Sequence, residues 1–528
     1  MEADTRSPLW RWIGGPIGRH AATGGAWRTP APWALLLATV AWILTMWRNA
    51  ACIQTSTDSY PETFKLMCYT DIPVLYLNRG LSTGSVPLVD IPMEYPVLTA
   101  WIMEFARRAV NLLGGYSGPD ATALQQVQGA ELFYAVTAIV MFICFLALVI
   151  VHLRLHRPWD ALLIAGSPLI VAGGLINWDM LVVFLASASL LAWSRRRTFV
   201  AGLLLGLAVA AKLYPVFWLL PLFALCLRSG QLRRFTTFAW GTIAAWFAVN
   251  APMYVISPTN WLNFWTFNAD RGPDLGSLWY VLDLAGFEVD GLSRIVTVLL
   301  GICGILLAGL ILLAPRRPRL AQSLFLITVA FLVLNKVYSP QYMLWLLPLL
   351  VLARPKAREL VIFTVAELAY WAAVWGHLAQ TIGPADGTSD KLYWLAVLLR
   401  IGVQVWLAGM VVRDILHPEL DPIRNAWSVD DPDGGIFDHA ADDGWVLALR
   451  RRLGMRSWSA PDGDPAILRA EPDVREPVPV GIRAVTAEPD DVDPGAHPGG
   501  AEPGREDRDA DAADVPEADP EADSGDGR

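Results

Sequence analysis

The sequence predicts an all-α polytopic membrane protein, and three observations carry that expectation. Hydrophobic residues fill 54% of the 528 positions and charged residues only 17%, a balance foreign to a water-soluble domain. Apolar stretches recur along the chain, separated by short loops that carry arginines. Tryptophan occurs 24 times, as expected where rings sit at membrane–water interfaces.

The net charge of −9 averages two unlike parts. From Arg413 onward there are 12 basic and 29 acidic residues, whereas the preceding part is net basic. Residues 413–528 are rich in Asp, Glu, Pro, Gly and Ala, which predicts an acidic, mostly disordered cytoplasmic tail. Within it, Asp442–Trp458 alternates apolar side chains with Arg450 to Arg452 and suits a short amphipathic helix on the inner leaflet. The acidic balance argues against nucleic acid and leaves room for a cytoplasmic partner.

Topology follows from parity. Residues 1–31 are basic and lack a signal-peptide pattern, which places the N-terminus in the cytoplasm. Basic clusters recur at His152–Arg157, Arg195–Arg197, Arg228–Arg234, Arg316–Arg319 and Arg354–Arg358. If all are cytoplasmic, an even number of crossings separates each from the next. The stretches Pro32–Met46, Leu132–Val151, Trp159–Leu175, Trp178–Trp193, Phe199–Leu213, Val216–Leu227, Phe235–Ile256, Ile295–Leu313, Leu320–Leu334, Met343–Leu352, Leu360–Trp375 and Leu392–Val412 satisfy this with about twelve crossings. Val97–Leu113 is then excluded. It holds Glu104, Arg107 and Arg108 and suits an amphipathic helix lying on the outer face. The domain therefore runs over 32–412, with a long outer loop at 49–131. By the same parity both termini are expected to face the cytoplasm. Lys212-Leu213-Tyr214-Pro215 interrupts an apolar run too short for two full crossings, so the break is expected to face a cavity.

The first loop carries acids that could serve as a general base, which needs only hydrogen-bond reach of a substrate hydroxyl. Asp71, in Tyr69-Thr70-Asp71-Ile72-Pro73, is the first choice and Asp58 the second, with Asp90 and Glu94 as further candidates. By parity three turns share the side of that loop: Asn177-Trp178-Asp179, Lys212, and Asn335 through Tyr342 with Lys336, Tyr338 and Gln341. Ionisable groups beside membrane segments are costly, so function is their default reading. Asp179 could equally pair with a lysine, and Tyr338 and Trp345 suit core or interface aromatics. Lysines and Arg79 suit phosphate. His377 falls at another outer end and could touch substrate or leaving phosphate. Cys52 and Cys68 share the loop and could form a disulfide. No His/Cys spacing reads as a metal site.

These motifs resemble the C-type glycosyltransferase superfamily, GT-C, and within it glycosyltransferase family 87. The resemblance rests on Asp71 through Tyr76, Gly84, Met93-Glu94-Tyr95-Pro96, Asn177-Trp178-Asp179, Ala211 through Pro215, and Asn335 through Tyr342. It spans roughly residues 30–412. One departure is Val97, where many relatives carry a second proline after the loop tyrosine. The resemblance implies a large first loop with amphipathic helices, an acidic base on that loop, a polyprenyl phosphate sugar as donor, and inversion at the anomeric carbon. It implies no other cofactor. It further implies that Lys212, Lys336 or Arg79 neutralises the departing phosphate, and the wider set of candidate substrate- or phosphate-binding residues is Arg79, Glu94, Tyr95, Asn177, Asp179, Lys212, Lys336, Tyr338, Gln341 and His377. The expected activity is transfer of a sugar, mannose first, to a cell-envelope glycolipid or lipoglycan on the outer face. The rival classes are a lipid or sugar transporter and an envelope-assembly scaffold. Transporters commonly show internal repeats, and none is evident here.

Overall fold

In the computed structural model, residues 29–53, 60–383, 390–427 and 429–455 are described. Asp58, residues 1–28 and the tail beyond Met455 lie outside them. All regular secondary structure among the described residues is helical.

The chain opens with α1 (Pro30–Asn49), α2 (Tyr60–Lys65) and α3 (Asp71–Asn78). Next come α4 (Val97–Leu112), α5 (Ala123–Leu153), α6 (Ala161–Ala165) and α7 (Pro168–Gly173). The hairpin α8 (Asp179–Ser194) and α9 (Thr198–Ala211) follows, then α10 (Leu219–Arg228) and α11 (Leu232–Ile256). A second long loop holds α12 (Pro258–Asp270) and α13 (Leu278–Leu284). The remaining helices are α14 (Leu292–Leu313), α15 (Leu320–Leu334), α16 (Met343–Ala353), α17 (Ala357–Leu378), α18 (Lys391–Leu416), α19 (Pro422–Trp427) and α20 (Gly444–Arg452).

Among the described residues, six helices are long and apolar enough to cross a membrane: α1, which a short 3₁₀ turn prolongs to Cys52, α5, α11, α14, α17 and α18; five of the other expected crossings form shorter apolar helices. At ~1.5 Å per residue α9 reaches only ~21 Å, short of the ~30 Å hydrocarbon core. The same shortfall applies to α8, α10, α15 and α16. Trp159–Leu175 is not one helix but a 3₁₀ turn with α6 and α7, broken at Gly166 and Pro168. Short and broken helices need protein neighbours to cover their ends, and these are buried among the long ones. Every residue of α16 except Leu352 is buried.

Close backbone approach holds the short hairpin in place. A side chain at Gly202 or Gly206 would meet the carbonyl oxygens of Phe238 or Thr242 at 2.0 and 2.3 Å, and one at Gly241 would meet that of Phe199 at 2.5 Å. This Gly-xxx-Gly face of α9 seats against α11 as small-residue faces do between membrane helices. The amphipathic segment is a helix, α4, with Met103, Ala106 and Val110 buried and Trp101 and Phe105 exposed. Glu104 pairs with Arg107 and Arg108. Cys52 and Cys68 are disulfide-bonded, closing the start of the first loop.

The tail begins later than its composition suggests. α18 runs on to Leu416, and residues 417–455 fold back on the end of the bundle that carries the arginine loops. Arg319 binds Asp421 at 2.8 Å, Arg228 binds Asp442 at 2.7 Å, and Arg317 and Arg424 share Asp430. Arg354 takes both Glu359 and Asp414. The Trp193 indole donates to the Gly434 carbonyl at 3.0 Å. The amphipathic segment forms α20, but its Val446 and Arg450 are buried against the protein. Residues 413–455 thus belong to the folded domain.

Stranding one partner of a buried ion pair costs about 3–5 kcal/mol. Ending the chain after Val412 is therefore expected to lower the detergent melting temperature and expose the bundle to protease, while ending it after Met455 leaves both unchanged. Equal melting of the two truncations would contradict this account of the segment.

Candidate functional site

The site forms where three chain breaks meet. Asp71 is the first residue of α3, behind Thr70, whose hydroxyl accepts the Ile72 N–H at 3.3 Å. The Asp71 N–H donates to the Ile176 carbonyl at 2.7 Å, tying the first loop to the turn before α8. An acid in the first turn also suits the helix dipole. Its side chain is half-buried, and Oδ2 accepts the Tyr95 hydroxyl at 2.9 Å. Tyr95 is in turn approached by Asn177 Nδ2 at 3.4 Å.

Beside this lies a buried ion pair. Asp179 opens α8 and Lys212 closes α9, so the hairpin delivers both to one end, each on the helix terminus whose dipole favours its charge. Lys212 Nζ sits 2.9 Å from Asp179 Oδ1, and Trp345 Nε1 donates to Oδ2 at 3.0 Å. The Asp179 N–H donates to Asn177 Oδ1 at 2.9 Å. The ammonium also faces the rings of Tyr95, Tyr342 and Trp345 at 5.0, 5.4 and 5.8 Å, within cation–π range. Trp345 is stacked between Tyr342 and Tyr214, at 3.8 and 4.1 Å. Thr99 of α4 donates to the Ala211 carbonyl at 2.8 Å, fixing the residue before Lys212.

Burial raises the Asp71 carboxyl above the usual carboxylate range, and repulsion from Glu94 adds to it. Hydrogen bonds from Tyr95 and Tyr69 and the Lys212 charge act against the rise. A base so placed holds its proton more strongly once it has one, as general-base work requires.

Five expected residues thus come together: Asp71, Tyr95, Asn177, Asp179 and Lys212. The others lie apart from this contact set. Arg79, at the far end of α3, pairs with Glu94 at 3.1 Å, and both remain partly exposed. Lys336 turns away, donating to the Ala269 carbonyl at 2.9 Å and Ser293 Oγ at 2.6 Å. Tyr338 is buried beneath Arg400, whose guanidinium lies 3.5 Å from the ring centroid and donates to the Tyr338 carbonyl at 2.9 Å. Gln341 is buried beside Gly173. His377 approaches Asp390 at 3.2 Å and stacks on Tyr393 at 4.4 Å.

Trp345, read from the sequence as a core or interface aromatic, and Tyr342, the last residue of the Asn335–Tyr342 motif, are cluster members, and Arg400 with its partner Glu367, 2.8 Å away, supports their loop. The signal for that pair is an arginine and a glutamate inside apolar segments. Three groups able to ligate a metal, Asp430, Asp438 and His439, lie together. Arg316, Arg317 and Arg424 already pair with Asp430, so the cluster is accounted for as an ion-pair network.

A family model decides the class. Residues 122–335 match glycosyltransferase family 87. The family is the one the motifs resemble; the match, over less than half of the chain, implies a membrane glycosyltransferase and is consistent with the GT-C superfamily. The match contains Asn177, Asp179 and Lys212, while Asp71 and Tyr95 precede it. No curated protein matches the chain.

Lys212→Met and Asp179→Asn should each destabilise the protein by about 3–5 kcal/mol, by stranding the other charge. The double variant should recover part of that loss. Thermal melting in detergent reads the difference, and additive losses would contradict the pairing.

Proposed function

We propose that this glycosyltransferase moves a sugar, mannose in the first instance, from a polyprenyl phosphate carrier to a glycolipid or lipoglycan acceptor. The reaction takes place on the outer face of a bacterial plasma membrane. The observation that carries the reading is the Asp71 carboxylate, oriented by Tyr95 beside Lys212.

Asp71 takes the proton of the acceptor hydroxyl as its oxygen attacks the anomeric carbon. The bond from that carbon to the phosphate oxygen breaks, and the configuration inverts. The carrier leaves as a polyprenyl phosphate. Lys212 has two N–H groups beyond the one directed at Asp179, and these neutralise the departing charge, while Arg79 is held by Glu94. Lys336 is committed elsewhere and is the weaker candidate. A small pocket of about 10 Å³, lined by Tyr95, Val209, Leu213, Trp246, Trp261 and Trp265, adjoins the site with apolar and aromatic walls. Asn260 and Asn263 of α12 donate to the Val89 and Met93 carbonyls, which holds that wall against the first loop.

Membranes containing the chain, given radiolabelled polyprenyl-phosphate-mannose and envelope lipids, should form a labelled lipid product. Asp71→Asn should lower the rate by about 10²–10⁴-fold at equal protein level. Loss only in Asp58→Asn would move the base, and no transfer from this donor or its arabinose counterpart would refute the donor class.

The acid limb of the rate should lie above the ordinary carboxylate value of ~4. Tyr95 donates to the charged form and lowers the Asp71 pKa, so Tyr95→Phe should raise it and shift the limb to higher pH. A limb that stays put or moves down would contradict the assignment.

A further inference from the structure

A larger apolar cavity lies away from the pocket described above. A cleft of about 390 Å³ runs between α1, α7 and α17, lined by Leu37, Ala41, Leu44, Val171, Leu368 and Trp371. Leu37 and Leu44 are exposed, so the cleft opens on the surface of a helix read as spanning the bilayer. At one end stands Arg48, the only charged residue lining it.

Arg48 is incompletely satisfied. Its Nη1 donates to the Met67 carbonyl, and the guanidinium lies 5.4 Å from the Trp371 ring centroid. Nε and Nη2 are buried, and none of the described residues accepts a hydrogen bond from them. No described carboxylate forms an ion pair with Arg48. Nε and Nη2 form the edge with which arginine grips a phosphate through two parallel bonds. Leaving such donors unmatched is costly, more so on a charged group.

The dimensions select the occupant. From Leu37 to Arg48 the helix rises ~16 Å. Half of a ~30 Å hydrocarbon core is ~15 Å. The apolar cleft therefore matches one acyl chain of a single leaflet, with the cation at headgroup depth beside the exposed interfacial ring of Trp47. A prenyl chain longer than one leaflet would overrun it.

We propose that this cleft binds an anionic phospholipid of the leaflet facing the first loop, with an acyl chain between α1 and α17 and the phosphate on Arg48. Arg48 Nε and Nη2 are covered in the lipid-free form, so the side chain swings toward the cleft to meet the phosphate. That movement releases the Met67 carbonyl, four residues before Asp71 and next to the disulfide at Cys68. The bound lipid is thereby linked to the loop that carries the base. The site rests on the fold alone and is independent of the proposed donor and acceptor.

Lipid occupancy can be read by native mass spectrometry of the purified full chain, delipidated and titrated with phosphatidylglycerol or diacylglycerol of the same acyl length. Phosphatidylglycerol should bind at least ~10-fold more tightly, a difference of about 1.4 kcal/mol. Arg48→Gln should abolish the preference, and Arg48→Lys should keep part of it. Val40→Trp, which fills the cleft and leaves Arg48 in place, should lower occupancy by a similar factor. Ile305→Trp, on the exposed face of α14, should change nothing. Equal binding of the two lipids would overturn the proposal, as would wild-type occupancy in either Arg48→Gln or Val40→Trp. Because occupancy is measured without turnover, failure of the glycosyl-transfer reading leaves this result unaffected.

Discussion

The Asp179–Lys212 ion pair is the constraint around which the site is arranged. It closes the mouth of a hairpin whose two helices are each too short to cross a bilayer. Neither charge could remain there alone, because an unpaired ion in a dry environment costs several kcal/mol. Held together, they neutralise one another and leave the remaining valences fixed in direction. Asp179 takes the Trp345 indole N–H, and Lys212 presents its ammonium to the rings of Tyr95 and Tyr342. Tyr95 then orients Asp71. A chain of contacts only a few residues long thus connects the first loop, the α8–α9 hairpin and the start of α16.

A second set of charges acts at the opposite end of the bundle. Arginines of three loops, at Arg228, Arg316–Arg319 and Arg354, together with Arg424 of α19, are matched by Asp414, Asp421, Asp430 and Asp442. The pairing fastens residues 413–455 across the ends of α8, α10 and α15. One end of the protein uses buried charge to shape a polar site, and the other uses it to fasten the chain. The first arrangement leaves hydrogen-bonding capacity pointing at a potential substrate, while the second consumes nearly all of it.

Much of this was legible in the sequence. Parity of the basic loops placed Asp71, Asn177, Asp179 and Lys212 at one end, and the structure brings them into contact with Tyr95. The charges within Val97–Leu112 correctly removed that segment from the crossing helices. Other features were not legible, for physical reasons. Lys336 gives the same local signal as Lys212, but only the packed loop reveals that Ser293 Oγ and the Ala269 carbonyl accept its hydrogen bonds. Trp345 reaches Asp179 across 166 residues of chain, a distance that no local motif encodes. Residues 413–455 have the composition of a solvated tail, and their order comes from arginines elsewhere in the sequence. Among the described residues only part of the expected crossings are full-length helices, because apolar runs of 10–17 residues read alike whether they span or only line the interior.

The central claim is that Tyr95 and Lys212 act as one unit on Asp71. A double-mutant cycle on kcat/KM for sugar transfer, with Tyr95→Phe, Lys212→Met and the double variant, tests it most directly. If the residues work through the same carboxylate, the double variant should lose much less than the two single losses combined, with a coupling energy of at least about 1 kcal/mol. Losses that simply add would mean that Tyr95 and Lys212 serve the reaction independently, and would contradict the account.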